Sequence, residues 1–388
     1  MVSRVLSKEV AESRLEALFG ANREEKRAQW ARAWKGRGGK VMGVLCTYVP
    51  VEVLHAGGFL PWRITGSWSD NVADALVYRS AQSCSFCNHV LQALLQGDLD
   101  FLDGVVATTW EQDLTRLWDV WNHLKKTEFN HILHLPHVPS ETTVAYYAGE
   151  IREFVQAVER YGGAKIDEGR LNQSIQLYNR VRSLVRQLYQ WRKRETPPLS
   201  GAEMMGLTLA GTIMPPEEFL EEAEGLLPSL EGRRAALARS SPRILLSSDF
   251  LDDPSYVELV EGVGCLVAMD DLDTGSRYYW RDVDTKGEDP YMALARRYLG
   301  RTGTSRMVTW QGQVDQVVEW VKEFNIQGLV EFTLRYSRAR EMRRPYFLKK
   351  LEEAGITAIS LEREYQLANQ GQLRTRLQAF LEMVGAKG

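Results

Sequence analysis

Apolar positions along the chain follow two rhythms. Short, nearly continuous apolar runs at residues 41–46, 60–64, 104–107 and 132–135 are separated by helical patterns at 84–96 and 112–123. Buried strands alternating with helices of that length predict a parallel sheet covered on both faces. Between about residues 142 and 239 the strand-like runs vanish. Helical periodicity takes over at 145–161, 171–194 and 215–238, punctuated by Pro197-Pro198 and Pro215-Pro216. The alternation returns at 244–246, 257–260, 266–269, 314–324, 329–332, 346–353, 358–361 and 373–384. A charged amphipathic stretch at 7–35 (Val10, Leu15, Leu18, Phe19, Trp30, Trp34) precedes the first strand, and Lys35-Gly36-Arg37-Gly38-Gly39-Lys40 breaks it. The expected organisation is an N-terminal helical segment (1–39), a first α/β lobe (40–141), a helical region (142–239) and a second α/β lobe (240–388). No fixed-period repeat is visible, although the two lobes share enough pattern to be related.

In open parallel sheets, ligands bind beyond the carboxyl ends of the strands. Those ends are residues 46–52, 108–113, 247–254, 270–274 and 334–340, so chemistry is expected in a cleft between the lobes. Composition narrows its kind. The 388 residues carry 48 Lys and Arg against 51 Asp and Glu, a net charge of −3, which argues against a nucleic-acid partner. No apolar run reaches the roughly 18 residues of a membrane span. Met1-Val2-Ser3-Arg4 leads straight into a charged helical pattern rather than a signal-peptide core. Four cysteines are too few for a disulfide framework, so a reducing cytoplasm is the expected location. There is no GxGxxG after a strand, no GxxxxGK[ST] and no GxSxG, so no nucleotide cofactor is expected on this chain.

Cys84-Ser85-Phe86-Cys87 is a single CxxC, whose thiolates three residues apart suit one metal ion or a redox disulfide. The same residues also suit the opening turn of a helix, with Cys87 as a small buried apolar group. His131, His134 and His137 recur every third residue, but strand geometry turns alternate side chains to opposite faces. Scattered loop histidines fit that spacing better than a zinc site. Gly300-Arg301-Thr302-Gly303-Thr304-Ser305-Arg306 reads as an anion-binding loop or as a solvated one. Glu111, Asp113 and Arg116 cluster where a strand meets a helix, and helix capping alone accounts for the acids. Trp118 and Trp121, at i and i+3, fit core or subunit-interface packing.

One stretch is more specific. Cys46-Thr47-Tyr48-Val49-Pro50-Val51-Glu52-Val53-Leu54-His55-Ala56-Gly57-Gly58-Phe59-Leu60-Pro61 resembles the 2-hydroxyacyl-CoA dehydratase and benzoyl-CoA reductase family. The likeness continues through Cys84, Leu94, Gly97 and residues 100–106, then Thr115-Arg116-Leu117 and Trp121. Near the C-terminus residues 345–356 and 371–380 also fit. The resemblance implies two flavodoxin-like (Rossmann-like) lobes and a cytoplasmic pair of related subunits. It also implies an acyl-CoA substrate near an iron–sulfur cluster, and a separate ATP-hydrolysing activator that supplies low-potential electrons. Radical dehydration of a 2-hydroxyacyl-CoA, or reduction of an aromatic acyl-CoA ring, would follow.

The family's three cluster cysteines fall at Cys84, at Trp110 or Glu111, and at about Ser337, so only the first is kept here. Family members also tend to carry Arg where this chain has Asn88. The expectation is a subunit whose cluster is largely held by its partner, with Cys84, Glu111 and Ser337 as the cofactor-facing positions and Cys84 with Cys87 as the metal-binding thiols. Asp113 and Arg116 are the expected substrate contacts. Glu52 is the expected acid/base group, flanked by Tyr48 and His55 as proton relay or packing; helix capping around Pro50 is its structural alternative. A non-catalytic scaffold that kept the fold is the rival reading. A homodimer sharing Cys84 and Cys87 from each protomer is a third.

Overall fold

The structure is a computed structural model that describes residues 13–234, 241–287, 289–301, 306–308 and 310–385. The first lobe is a four-stranded parallel sheet of β1 (Lys40–Val44), β2 (Phe59–Arg63), β3 (Gly104–Thr108) and β4 (Phe129–Leu133), in the order β2-β1-β3-β4. The second contains β5 (Arg243–Ser248), β6 (Leu266–Leu272), β7 (Gly328–Leu334) and β8 (Ala358–Arg363), in the order β6-β5-β7-β8. Every pairing is parallel. Each lobe thus repeats the order second-first-third-fourth, the flavodoxin-like arrangement, with its switch points between β1 and β3 and between β5 and β7. Seven of the eight strands coincide with the apolar runs. Six of these are buried along their whole length or all but the first residue, as strands covered on both faces must be.

The exception is β4, which begins three residues before its expected start. It is an edge strand on which only Phe129 and Leu133 are buried, so the apolar run at 132–135 marks only its end. The helix Pro290–Gly300 has no counterpart in the helical patterns of the sequence, and it carries residues that complete the first lobe.

The insert contributes helices Glu141–Gly162, Glu168–Trp191, Gly201–Ala210 and Pro216–Leu230. Ser140 and Ser200 cap two of them with capping boxes, and Asp167 caps a third. Helix Glu168–Trp191 packs on Val51–Ala56 of the first lobe, and Arg192 just beyond it donates to the carbonyl of Ala268 on β6 at 3.1 Å. The insert is therefore a strut touching both lobes. No helix among the described residues is long and apolar enough to cross a membrane.

The carboxyl ends of the two sheets meet face to face. Arg63 and Asp273 lie 3.5 Å apart across the seam, and the Gly66 amide donates to the Tyr365 hydroxyl at 2.8 Å. Gly66 permits that approach by having no side chain, since a Cβ there would stand 2.6 Å from the Tyr365 ring and 2.4 Å from the His89 Cβ.

Asp252 sits beside Tyr365 and Arg27 in this seam. Burial pushes its carboxyl up to about 6, although Arg27, Tyr365 and Arg63 pull the other way. A carboxyl raised in the folded state contributes stability at low pH and loses it as pH rises from its unfolded value through about 6. Asp252→Asn should therefore gain on the wild type by up to roughly 3 kcal/mol between pH 4 and 7. Denaturant midpoints of both proteins across that range measure the gap; a gap that narrows as pH rises would show the ionised carboxylate to be stabilising.

Candidate functional site

Helix Ser85–Gln96 opens at Cys84, whose extended backbone (φ −47, ψ 120) places it at the cap position, and closes at left-handed Gly97. Cys84 and Cys87 consequently share one face of the first turn, both as free thiols. Both are buried, at 2% and 0% exposure. Burial, reinforced by Cys84, pushes the Cys87 thiol well up. Asp113 lies beneath the turn, accepting from the Cys84 amide at 3.4 Å and from Arg79 at 3.1 Å. Arg79 also donates to the Asn88 side chain. The carboxylate expected to meet substrate is thus buried and claimed by Arg79, whereas Arg116 is exposed on the outer face of its helix.

From this turn an aromatic column runs through the space between the sheets. Tyr48 and Trp110 have ring centroids 5.9 Å apart, and Trp110 lies 5.4 Å from Phe250. Phe250 stacks on Phe86 at 4.4 Å with planes 15° apart. Phe86 then meets Tyr365 edge-on at 5.6 Å, and Tyr365 meets His89 at 4.9 Å. These side chains fill the cleft with offset and edge contacts of the kind aromatic rings favour. Phe250 holds φ at +52°, a left-handed conformation costly for a bulky residue, on the order of 1–3 kcal/mol. Asp273 accepts its amide at 3.0 Å and Arg363 donates to its carbonyl at 2.8 Å, which fixes the ring between Trp110 and Phe86.

Glu111, next to Trp110, pairs with Arg306 through both carboxylate oxygens, one bond measuring 2.7 Å. Arg301 donates to Thr47 at 2.7 Å, and its guanidinium lies 3.8 Å over the Tyr48 ring. Both arginines of the supposed anion loop are therefore turned onto the first lobe; Thr302 to Ser305 lie outside the described residues. Ser337 is buried at the start of helix Arg338–Glu353, directly after Tyr336, which is also left-handed at φ +63°.

Glu52 and His55 occupy one face of helix Val51–Ala56, and that face is turned to the insert. Glu52 has no exposure. Arg182 forms an ion pair with one of its oxygens, and Tyr298 donates to the other at 2.8 Å. Burial alone would raise this carboxyl, but the charges of Arg182 and Arg297 hold it below the usual range, so it is ionised. His55 reaches Ser174 at 2.9 Å and Glu217 at 3.0 Å, both on insert helices. Tyr48 stays with the cleft. The structure thus separates the three residues that were expected to act together.

At the carboxyl end of the second sheet, the acids of β5, β6 and β7 meet arginines from two helices. Arg277 donates to Asp249 at 2.8 Å, and Arg340 to Glu331 at 2.8 Å and to Ser247 at 2.6 Å. Ser247 and Gln313 in turn donate to Asp271. Burial opposes ionisation of Asp249, yet Arg277, Arg340 and Arg343 hold its carboxyl well below the usual range.

The positions matched to cluster cysteines now have defined surroundings. Cys84 is a buried free thiol, Trp110 is wedged in the column, Glu111 is taken by Arg306, and Ser337 offers only a hydroxyl. No three His, Cys, Asp or Glu side chains converge on a metal position among the described residues. The three spaced histidines go to different places: His131 stacks on Phe154, His134 pairs with Glu150 and His137 approaches the Thr109 carbonyl. Because a cluster wants several thiolates, the residues present do not fit one held by this chain alone.

Residues 46–384 match the model of the family described as 2-hydroxyglutaryl-CoA dehydratase, D-component. The chain belongs to this family. Among relatives of the D-component family, one of the benzoyl-CoA reductase subunits of Thauera aromatica is 24% identical over 369 residues, covering 93% of this chain and 94% of the relative. The beta subunit of (R)-phenyllactyl-CoA dehydratase from Clostridium sporogenes is 22% identical, covering 89% and 92%. The beta subunit of (R)-2-hydroxyglutaryl-CoA dehydratase from Acidaminococcus fermentans is 23% identical, covering 90% and 93%. The match thus spans both lobes and the insert.

Several residues that organise the site had no signal in the sequence. Arg79, Arg182 and Tyr298 sit in ordinary helical or loop contexts, and their partners are 34, 130 and 246 positions away. Phe250 lies in a segment marked as a strand end, but nothing local announces its left-handed backbone.

Proposed function

We propose that this chain is a subunit of a heteromeric acyl-CoA reductase or 2-hydroxyacyl-CoA dehydratase in which a related partner subunit holds the iron–sulfur cluster. The observation that carries this reading is the filled cleft: Trp110 and the Glu111–Arg306 pair stand where a cluster ligand would be needed. Family membership supports this reading, in which the substrate is an acyl-CoA, the setting is cytoplasmic and a separate ATP-hydrolysing activator donates the electrons. In this reading the chain docks the partner and forms one wall of its substrate site, while the low-potential electron chemistry belongs to the partner.

Iron and sulfide are to be quantified on the purified chain and on the complex with its partner. The expected result is iron in the complex and essentially none in the isolated chain. A full cluster in the isolated chain would refute the assignment.

A second reading, a non-catalytic scaffold, is favoured by one observation: Glu52 is ion-paired inside the protein rather than presented to the cleft. The two readings part on acyl-CoA binding, since a scaffold leaves the partner's affinity for acyl-CoA unchanged and a substrate-site wall raises it.

A further inference from the structure

We propose that the groove between residues 15–23 and residues 253–262 binds an organic cation, a linear amine carrying more than one ammonium group. The groove has a volume of about 850 Å³, within the roughly 300–1,000 Å³ of small-molecule sites. It is distinct from the cleft: no residue of the aromatic column, and no position matched to a cluster cysteine, lines it. Five carboxylates and two guanidinium groups stand in its lining. Both guanidinium groups are already spent, Arg23 on Glu16 at 3.3 Å and Arg233 on Glu203. Glu261 accepts from the Gly201 amide at 2.7 Å and the Val267 amide at 3.2 Å, so it anchors the wall itself. Two acids are left for a ligand. Asp253 gives one oxygen to the Ser255 amide at 2.9 Å, and Glu258 is exposed and pairs with no cation among the described residues.

Acids alone would suit any cation, and Asn22 narrows the choice. It lines the groove at 2% exposure. Its amide nitrogen donates to the Asp252 carbonyl at 2.8 Å, which fixes the orientation of the amide and leaves Oδ1 with no partner. A buried acceptor without a donor carries its full desolvation cost, which a ligand N–H would remove. Every unspent polar group named here is therefore an acceptor, and an ammonium group offers three donors and no acceptor. A bare metal ion fits less well, because no three ligating side chains converge among the described residues. Leu15, Phe19 and Trp68, all half-buried, supply the apolar and aromatic surface on which the carbon chain between two ammonium groups can lie.

The test uses the full chain without partner, iron or acyl-CoA, so its outcome is independent of the proposed complex. Putrescine is titrated calorimetrically at low ionic strength, with butanediol of the same chain length as the uncharged probe. Putrescine should bind and butanediol should not. Glu258 is exposed, so it can be replaced without disturbing the core. Glu258→Gln should weaken putrescine about tenfold, as loss of a charge-assisted hydrogen bond does, and Glu258→Lys should abolish binding. Glu353→Gln, an exposed acid outside the groove, should leave the affinity unchanged. Bound putrescine should also slow amide hydrogen exchange in residues 15–23 and 253–262. Absence of binding, equal binding of butanediol, or a putrescine affinity that Glu258→Lys leaves intact would overturn the proposal.

Discussion

Arg182→Leu is expected to destabilise the protein by about 3–5 kcal/mol, among the largest effects of any single change in the first lobe. The substitution strands the Glu52 carboxylate with no exposure and only the Tyr298 hydroxyl for direct support. An unpaired buried charge keeps its desolvation cost and loses the attraction that offset it. Glu52→Leu alone should be costly for the mirror reason, leaving Arg182 buried at 1% exposure. The double variant Glu52→Leu/Arg182→Leu should recover much of the loss, because apolar replacement of a buried pair is often neutral or favourable. Urea midpoints of the four proteins give the coupling energy directly. The carboxyl is held low in the folded state, so its contribution is complete above the ordinary carboxylate range. It disappears as pH falls through the depressed value. The penalty of Arg182→Leu should therefore shrink in acid. Assaying the double variant in the assembled complex also decides what Glu52 is for: a stable but inactive complex marks an acid/base group, and full activity marks a structural ion pair.

What the sequence made visible was the part of the molecule governed by local pattern. Strands covered on both faces wrote themselves as apolar runs, and β1 to β3 and β5 to β8 lie where those runs are. Edge strand β4 showed only its end in the run at 132–135, since only Phe129 and Leu133 turn inward. Helix Pro290–Gly300 was hidden because Arg296 and Arg297 interrupt its apolar stripe; Arg297 is nevertheless buried, donating to the Tyr278 carbonyl at 2.6 Å. The site shows the same division. Cys84 could be located by motif, and its neighbourhood with Cys87 followed from helical spacing. The orientation of Glu52 could not, because it is set by an arginine on a helix 130 positions away, and strand-end position alone does not say which way a side chain turns. Trp110 is legible as a replacement for a ligand, but that it closes the cleft depends on Phe250 arriving from the other lobe in a left-handed conformation.

That closure gives the second large prediction: Trp110→Ala should cost about 3–5 kcal/mol, as loss of a fully buried aromatic side chain does. Trp110 is 2% exposed and lies between Tyr48 and Phe250, so its removal takes out the middle of a column rather than a peripheral contact. The neighbours have little freedom to collapse into the space. Tyr48 is pinned under Arg301, and Phe250 is fixed through its backbone by Asp273 and Arg363. A site that cannot relax keeps its cavity, which places the cost at the upper end of the range. Phe250→Ala removes the same contact from the other side but leaves a non-glycine residue in the left-handed conformation. Phe250→Gly should therefore be the milder of the two, by roughly 1 kcal/mol. A double-mutant cycle of Trp110→Ala with Phe250→Ala should return a coupling of about 0.5–1.5 kcal/mol, the amount an aromatic pair adds beyond burial. A coupling near zero would mean that the two lobes meet here without depending on each other, and the cleft would then have to be regarded as open to a ligand.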